Sequence, residues 1–219
     1  MHDDLKAKGA IIQRDMETYA IKAHAPGGFV EPADLRRIAD IAERYKVKAV
    51  KLTSAQRFMM IGLPEDKIDE VISQLGENGT AAAGLCVRYV KVCPGKQHCK
   101  RGQQDSLAMG MELDEKYHGL QVGWKFKMGV SGCPNDCSEV CIKDLGLVGS
   151  PKGWTVMVAG NGGSKPRLAR KLAENVPSRE EALAIMDRVI EWFRASGRTC
   201  RIGKVIDEIG LDKLREEIL

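Results

Sequence analysis

The 219-residue sequence is poor in aromatic residues and has no long apolar run, like-charge block or low-complexity tract. Aromatic residues make up 5%, which argues against nucleic-acid binding by base stacking. The 34 basic and 30 acidic residues leave a net charge of +4, too even a balance to favour bulk nucleic-acid binding. No stretch approaches the roughly 18 apolar residues of a membrane helix, and residues 1–6 carry no export signal. We therefore expect a cytoplasmic protein with neither a membrane nor a nucleic-acid partner.

Fingerprints of nucleotide-binding sites are also absent from the sequence. No flavin or nicotinamide motif occurs, and the glycine-rich residues 160–166 lack the spacing of a phosphate-binding Walker loop. Two interpretations remain for this loop. It is either a strand-to-helix turn or a nest of backbone N–H groups that holds a cofactor carboxylate or phosphate.

Four of the seven cysteines form two close pairs. Five residues separate Cys93 from Cys99, three separate Cys133 from Cys137, and 33 residues lie between the pairs. Four thiolates are the usual ligands of an iron–sulfur cluster. Disulfides and zinc are the alternatives, but the expected reducing compartment opposes disulfides, and a five-residue gap is unusual for zinc.

The second cysteine pair is expected to begin a helix. Pro134 suits the first helical position, which places Cys133 at the N-cap and Cys137 one turn later. The positive end of this helix would face an anionic iron–thiolate centre. The cysteines outside the pairs are expected to be small buried hydrophobic residues: Cys86, Cys141 and Cys200. For Cys141, four residues after Cys137, the alternative is a position near the cluster on the same helix face.

Hydrophobic periodicity predicts an α+β fold with two domains. Residues 8–78 are predicted to form a ferredoxin-like β-α-β-β-α half domain, and residues 84–219 an α/β domain that contains both cysteine pairs. The predicted strands lie at 17–24, 47–52, 57–61, 86–92, 122–130 and 154–159. The predicted helices open at Glu31-Pro32, at Pro64 and at the capping box of Ser178, and also cover 103–117 and 205–218.

Three cations precede the cysteine pairs on predicted strands. Lys125 and Lys127 are two residues apart, so both ammonium groups are expected on one face of the strand. Arg88 stands in a similar position before Cys93. These side chains either line a solvated sheet edge or form a site for an anion.

Together these motifs resemble the siroheme-containing sulfite and nitrite reductase family. The shared motifs are Cys-x5-Cys at 93–99, Ser-Gly-Cys-Pro-Asn-Asp-Cys at 131–137, Pro-Gly-Gly at 26–28, Leu-Thr-Ser-Ala-Gln at 52–56, Lys-Phe-Lys at 125–127 and Asp-Leu-Gly-Leu-Val-Gly at 144–149. Typical members contain two copies of the ferredoxin-like and cluster-binding unit, whereas this chain has one. It therefore resembles the small, single-unit sulfite reductases of the assimilatory type.

The resemblance implies two cofactors, siroheme and a 4Fe-4S cluster, and the residues that bind them. The implied cluster ligands are Cys93, Cys99, Cys133 and Cys137, of which Cys137 also binds the siroheme iron. Arg57 is a candidate to compensate for Ala55, which stands where many members carry an arginine that faces a siroheme carboxylate. Further candidates to contact siroheme are Asn135, Lys100, Arg101, Lys165 and Arg167.

The implied reaction is the six-electron reduction of sulfite to sulfide, with electrons from an external donor such as a ferredoxin or a cytochrome. By motif position, the cations that bind and protonate the substrate are Lys22, Arg88, Lys125 and Lys127. Lys22 replaces the commoner arginine, so a point charge stands in for a bidentate fork. The alternatives are reduction of nitrite to ammonia, a cofactor-bearing electron-transfer subunit, and a structural zinc domain.

Overall fold

Two hydrophobic cores form along the chain, one in each of two units, Met1–Gly84 and Leu85–Leu219. This computed structural model describes residues 2–76 and 79–219. The domain boundary predicted at residue 78 lies outside the described residues. None of the helices in the described ranges has the length and apolar character of a membrane span.

The first unit contains a four-stranded antiparallel sheet in the order β1-β2-β4-β3. Its helices and strands are, in chain order, α1 (His2–Ala7), β1 (Ile11–Ile12), β2 (Thr18–Ala23), α2 (Pro32–Arg44), β3 (Ala49–Leu52), β4 (Phe58–Pro64) and α3 (Ile68–Leu75). The segment from β2 to α3 has the order β-α-β-β-α. This order confirms the ferredoxin-like prediction.

Local signals set the ends of the helices in the first unit. Glu31 caps α2 through a capping box with Asp34, and Gly76 follows α3 with a φ of 67°, which a glycine adopts without strain. The helices then pack on the sheet. This core contains Tyr19, Ile21, Met60 and Leu63 from the strands and Ile38, Ile41, Ile68 and Val71 from the helices.

The second unit contains a five-stranded mixed sheet in the order β5-β6-β7-β8-β9. Its helices and strands are β5 (Val87–Val92), α4 (Gly95–His98), α5 (Ser106–Tyr117), β6 (Phe126–Ser131), β7 (Leu145–Ser150), β8 (Gly153–Val158), β9 (Arg170–Val176), α6 (Arg179–Ala195), α7 (Ile202–Ile209) and α8 (Leu211–Ile218). The pairs β5-β6 and β6-β7 are parallel, and the other two pairs are antiparallel.

Alternation along β6 decides which side chains reach the core. Phe126, Met128 and Val130 are buried in the cluster that α5 and α6 cover, and the Phe126 ring lies 5.6 Å from that of Phe193 in α6. Since side chains alternate across a strand, Lys127 projects from the opposite face of the sheet.

Several elements of the second unit differ from the prediction. The last helix is two helices, because Gly210 has a φ of 88° between α7 and α8. The glycine-rich residues 160–166 join β8 to β9, so a strand-to-helix turn is wrong. Residue 106, not 103, begins α5, because the Asp105 side chain caps the helix by accepting the N–H of Ala108. The strand β6 begins at Phe126, which leaves Lys125 outside it.

Candidate functional site

The two cysteine loops leave the sheet at the same end. The strands β5 and β6 are parallel neighbours, with Val92 opposite Val130. Cys93 follows β5 directly, and Cys133 comes two residues after β6 ends at Ser131. Both loops therefore open at the carboxyl edge of the sheet, where open α/β sheets bind ligands.

Hydrogen bonds fix the two loops to each other. The N–H of Gly132 donates to Cys93 Sγ at 3.2 Å, and Ser106 Oγ lies 3.2 Å from the same sulfur. Ser106 Oγ also donates to the Cys93 carbonyl at 3.0 Å. The N–H groups of Gln103 and Gln104 both donate to the Gly132 carbonyl at 2.9 Å. Cys93 Sγ thus lies next to hydrogen-bond donors, as the sulfur ligands of iron–sulfur clusters do.

Glycines let the loops approach more closely than other residues would. A Cβ on Gly132 would lie 2.8 Å from the Gln104 carbonyl oxygen and 3.0 Å from Gly95 Cα. A Cβ on Gly102 would lie 2.5 Å from the carbonyl carbon of Gly95 and 2.5 Å from the nitrogen of Lys96. Neither position has room for a side chain, because the neighbouring atoms belong to the backbone.

The second cysteine pair does not begin a helix, so that prediction is wrong. Residues 133–139 form turns, and Asp136 has a φ of 48°. Its carboxylate accepts the N–H groups of Val140 and Cys141 at 2.8 and 2.9 Å and the hydroxyl of Ser131 at 2.8 Å. These bonds offer the backbone an alternative to helical pairing. The helix dipole expected at this loop is therefore missing, and the helix next to the cysteines is α4 in the first loop.

The four paired cysteines differ in exposure. Cys133 is buried, Cys93 is half-buried, and Cys99 and Cys137 are exposed. All seven cysteines of the chain are free thiols. Among residues 2–76 and 79–219, no three His, Cys, Asp or Glu side chains are grouped as they would be around one metal ion.

The other three cysteines are only partly as predicted. Cys86 is buried, which confirms the prediction for that residue, and Cys200 is half-buried against the core of the second unit. Cys141 is exposed, so a buried hydrophobic role is wrong for it. The hydrogen bond from its N–H to Asp136 holds it in the surface turn.

The sheet face opposite α5 and α6 carries excess positive charge. Lys143 and Lys91, whose side chains are 3% and 12% exposed, both pair with Glu139, at 3.3 and 3.1 Å. Lys143 lies over Gly129, since a Cβ there would come within 3.2 Å of Lys143 Cγ. Burial lowers the pKa of Lys143. We call Lys91, Lys127 and Lys143 the lysine face; one carboxylate pairs with two of its three ammonium groups.

Lys127 is half-buried on β6, next to β5 in the sheet. Its Nζ is 5.9 Å from the centre of the Tyr89 ring on β5. Burial lowers the pKa of Lys127, and neighbouring cations lower it further. The charges that act on it belong to Arg201, Asp144, Lys143 and Arg88. Arg88 and Lys127 are thus within electrostatic reach of each other, and Lys127 releases a proton more readily than an exposed lysine.

The buried carboxylate of Asp144 binds the backbone of Lys127 and is itself bound by Arg201. The sequence analysis did not identify either residue as part of the site. Asp144 Oδ2 accepts the N–H of Lys127 at 2.8 Å and Arg201 Nη1 at 2.5 Å. The same Arg201 nitrogen donates to the Lys125 carbonyl at 3.1 Å. Burial raises the pKa of Asp144 to about 6, although Arg201 acts to lower it. The place of Asp144 directly before an apolar strand is a sequence signal for burial, whereas nothing in the sequence marks Arg201.

Two of the predicted site residues lie in the first unit. Lys22 is half-buried on β2, opposite Met59 of β4. Arg57 is 4% exposed and closes the turn before β4, where its carbonyl accepts the N–H of Thr53 at 2.8 Å. Ala55 lies inside the same turn.

Three candidate siroheme contacts and one candidate substrate-binding lysine lie at the surface of the second unit. Lys100 and Arg101 follow Cys99 in the first cysteine loop, and both are exposed. Asn135 is exposed in the second cysteine loop, and Lys125 is exposed just before β6. Each of these side chains is accessible to an anion.

The last two candidates are in the loop between β8 and β9. Lys165 is exposed, whereas Arg167 is half-buried and binds Asp207 at 2.7 Å. The backbones of Asn161 and Arg167 also pair in both directions, at 3.0 and 2.9 Å. The charge of Arg167 is therefore already partly neutralised.

Comparison with known families matches both units. Residues 83–219 match the family described as "Nitrite and sulphite reductase 4Fe-4S domain". Residues 11–78 match "Nitrite/Sulfite reductase ferredoxin-like half domain". The first match alone covers more than half of the chain.

Curated relatives are similar over almost the whole chain. It is 38% identical over 213 residues to an assimilatory-type sulfite reductase of Nitratidesulfovibrio vulgaris, and the match covers 97% of each protein. It is also 37% identical over 207 residues to an NAD(P)H nitrite reductase of Bacillus subtilis, where 94% of this chain covers 26% of the relative.

Solved structures share the fold at low sequence identity. A dissimilatory sulfite reductase I superposes with a TM-score of 0.81 and 14% identity, over 91% of this chain and 68% of that one. The NirA protein of Mycobacterium tuberculosis superposes with a TM-score of 0.78 and 22% identity, over 91% of this chain and 39% of that one. These likenesses establish the α+β fold.

Proposed function

The chain belongs to the nitrite and sulfite reductase family of oxidoreductases, which carry siroheme and a 4Fe-4S cluster, and we propose that it reduces sulfite to sulfide. The proposed reaction consumes six electrons from a separate carrier, such as a ferredoxin or a cytochrome. The observation that carries the choice of sulfite is the 38% identity to an assimilatory-type sulfite reductase, which extends over 97% of both proteins.

The residues of the cysteine loops fit a cluster. Four free thiols stand on two loops that are fixed to each other and leave one edge of the sheet. The proposed cluster ligands are Cys93, Cys99, Cys133 and Cys137, and Cys137 would also bind the siroheme iron. When bound, the two cofactors would pass the electrons of the separate carrier to the substrate one at a time.

The charge of the second unit fits a macrocycle rich in carboxylates. Lys91 and Lys143 share Glu139, so part of their positive charge is uncompensated. A carboxylate of siroheme would complete this balance. The residues proposed from sequence for the other siroheme contacts are Arg57, Asn135, Lys100, Arg101, Lys165 and Arg167.

The cations of the site have two tasks in the proposed reaction, to hold the oxyanion and to supply protons. Each S–O bond that breaks expels oxygen as water, so protons must arrive where the oxygen leaves. Lys127 suits the second task, because it is half-buried and its pKa is lowered. Arg88 acts on Lys127 electrostatically and suits the first task. Lys22 and Lys125 complete the proposed set.

Nitrite is the second candidate substrate. The 37% identity to an NAD(P)H nitrite reductase favours it, although this chain spans about a quarter of that protein. Steady-state assays with a reduced dye, sulfite or nitrite distinguish the two on protein purified without oxygen. We expect the larger kcat/KM with sulfite; a larger value with nitrite would reverse the assignment. A protein that carries both cofactors and reduces neither anion would be an electron-transfer subunit.

Replacement of Lys127 tests the proton-donor role. Lys127→Met is expected to lower sulfite turnover by about 100-fold, the usual worth of a positioned acid, while both cofactors stay bound. Lys152→Met is the matched control, because Lys152 is exposed in the turn between β7 and β8. Equal turnover in the two variants would remove Lys127 from the mechanism.

Replacement of Cys137 tests the shared ligand. Cys137→Ser is expected to change the visible absorption of siroheme and the electron paramagnetic resonance of the cluster together, because one sulfur serves both. Cys141→Ser is the control, since Cys141 is also exposed but lies outside the proposed ligand set. An unaltered siroheme spectrum in Cys137→Ser would refute the shared thiolate.

A further inference from the structure

The Asp144 carboxylate is buried deeply and is only partly satisfied. Its side chain is 1% exposed, and Oδ1 has no hydrogen-bond partner in the part of the chain that the structure describes. A buried carboxylate with one unbonded oxygen is costly to keep. A neutral side chain of the same shape would avoid this cost. The negative charge itself is therefore the feature that needs an explanation.

Every hydrogen bond that Asp144 Oδ2 accepts leads to the segment 125–127. One comes from the N–H of Lys127, and the other from Arg201, which also binds the Lys125 carbonyl. The backbone N–H of Asp144 in turn donates to the Lys127 carbonyl at 3.0 Å. The pair thus clamps the backbone on both sides of Phe126, whose ring is anchored in the core.

We propose that Asp144 and Arg201 are positioning residues, which fix the segment 125–127 and set the charge that surrounds the Lys127 ammonium group. The inference rests on the proposed function, because it gives Lys127 the task of delivering protons. Neither residue needs to touch the substrate for this role. Asp144 acts through the backbone and through its charge, and Arg201 acts through Asp144, through the Lys125 carbonyl and through its own charge.

The electrostatic surroundings of Lys127 make the role of each partner distinct. Tyr89 and Arg88 face it from β5, Lys143 and Asp144 from the segment before β7, and Arg201 from the residue before α7. Asp144 is a negative charge among the main groups that act on Lys127, and it favours the protonated amine. Arg201 disfavours it. Loss of Asp144 is therefore expected to lower the pKa of Lys127, and loss of Arg201 is expected to raise it.

The test uses the loaded enzyme and two independent measurements. The first is the alkaline limb of sulfite turnover against pH. The second is the pH dependence of acetylation at Lys127, followed by peptide mass spectrometry, which does not require turnover. Asp144→Asn is expected to move the midpoints of the turnover and acetylation curves to lower pH. Arg201→Met is expected to move both midpoints to higher pH. We expect a shift of about half a pH unit or more in each variant. Arg201 also lowers the pKa of Asp144, so the shift of the Arg201 variant is read in the alkaline range, where the Asp144 carboxylate is most fully ionised.

Matched controls separate this role from general damage. Asp212→Asn and Arg198→Met each remove one charge from an exposed ion pair of the second unit and are expected to leave both curves in place. Arg201→Lys, which keeps the charge, is expected to restore the wild-type curves. Curves that stay fixed, or that move in the same direction in both variants, would overturn the inference. If acetylation shifts as expected while turnover does not, the positioning role stands and the proton-donor role of Lys127 fails.

Discussion

The buried carboxylate of Asp144 makes the free energy of unfolding depend on pH. The pKa of Asp144 is raised to about 6 in the folded chain, chiefly by burial, against roughly 3.9 in an unfolded chain. The folded chain therefore binds more protons than the unfolded chain between these values. The stabilising contribution of Asp144 is full below about pH 4 and is lost as the pH rises through 6.

This sign gives a prediction for Asp144→Asn, whose side chain does not titrate. The free energy of unfolding of the wild type, minus that of the variant, is expected to fall by about 1 kcal/mol between pH 5 and pH 7. Urea titrations of both proteins at the two pH values measure it. Asp212→Asn, at an exposed pair, is the control and should show no such trend. A difference that is constant with pH would contradict the raised pKa.

At the scale of residues, the sequence predicts site residues only where they lie in a recognisable motif. Lys125 and Lys127 stand out because they are two apart beside a cysteine pair. Arg201 does not, because it is 57 positions from Asp144 along the chain and is brought there by the packing of α7. Cys141 shows the opposite failure. Its residue type suggests burial, but the Asp136 turn holds it at the surface.

At the scale of elements, the loop glycines give the sharpest prediction. Gly132→Ala is expected to lower the iron bound per chain at least severalfold, because its Cβ meets backbone atoms of the first cysteine loop that cannot move away singly. Gly162→Ala is the matched control, since the Cβ there meets the mobile end of the Ile142 side chain at 3.2 Å. Iron analysis of proteins purified in parallel decides between them, and equal loading would show that the loops tolerate separation.

Helix boundaries illustrate why some elements could be predicted and others not. The start of α2 follows from Glu31-Pro32, since proline suits the first helical position, and the start of α6 follows from Ser178, whose side chain accepts the N–H of Glu181. The turn at Asp136 could not be foreseen in this way. Pro134 favours a helix locally, but a carboxylate that collects three hydrogen bonds from both sides of the turn outweighs that preference.

At the scale of the whole molecule, cofactor binding is expected to protect one unit selectively. The loaded protein should resist trypsin after Lys100 and Arg101 roughly tenfold better than protein produced without iron and siroheme, because loop opening must precede cleavage. Cleavage after Lys46 serves as the internal control, since that exposed residue lies in the turn after α2 of the first unit. Mass spectrometry of timed digests measures both. Equal protection at the two sites would mean that the cofactors do not order the first loop.

The strand that delivers the first cysteine is the outermost of its sheet, β5. Its early part is covered, because Val87 donates to the Leu120 carbonyl at 2.9 Å and accepts from Gly119 at 2.9 Å. Arg88, the second residue of the strand, carries a charge that discourages another strand from joining. A newly made polypeptide is thereby protected from edge-to-edge aggregation before its thiols bind iron.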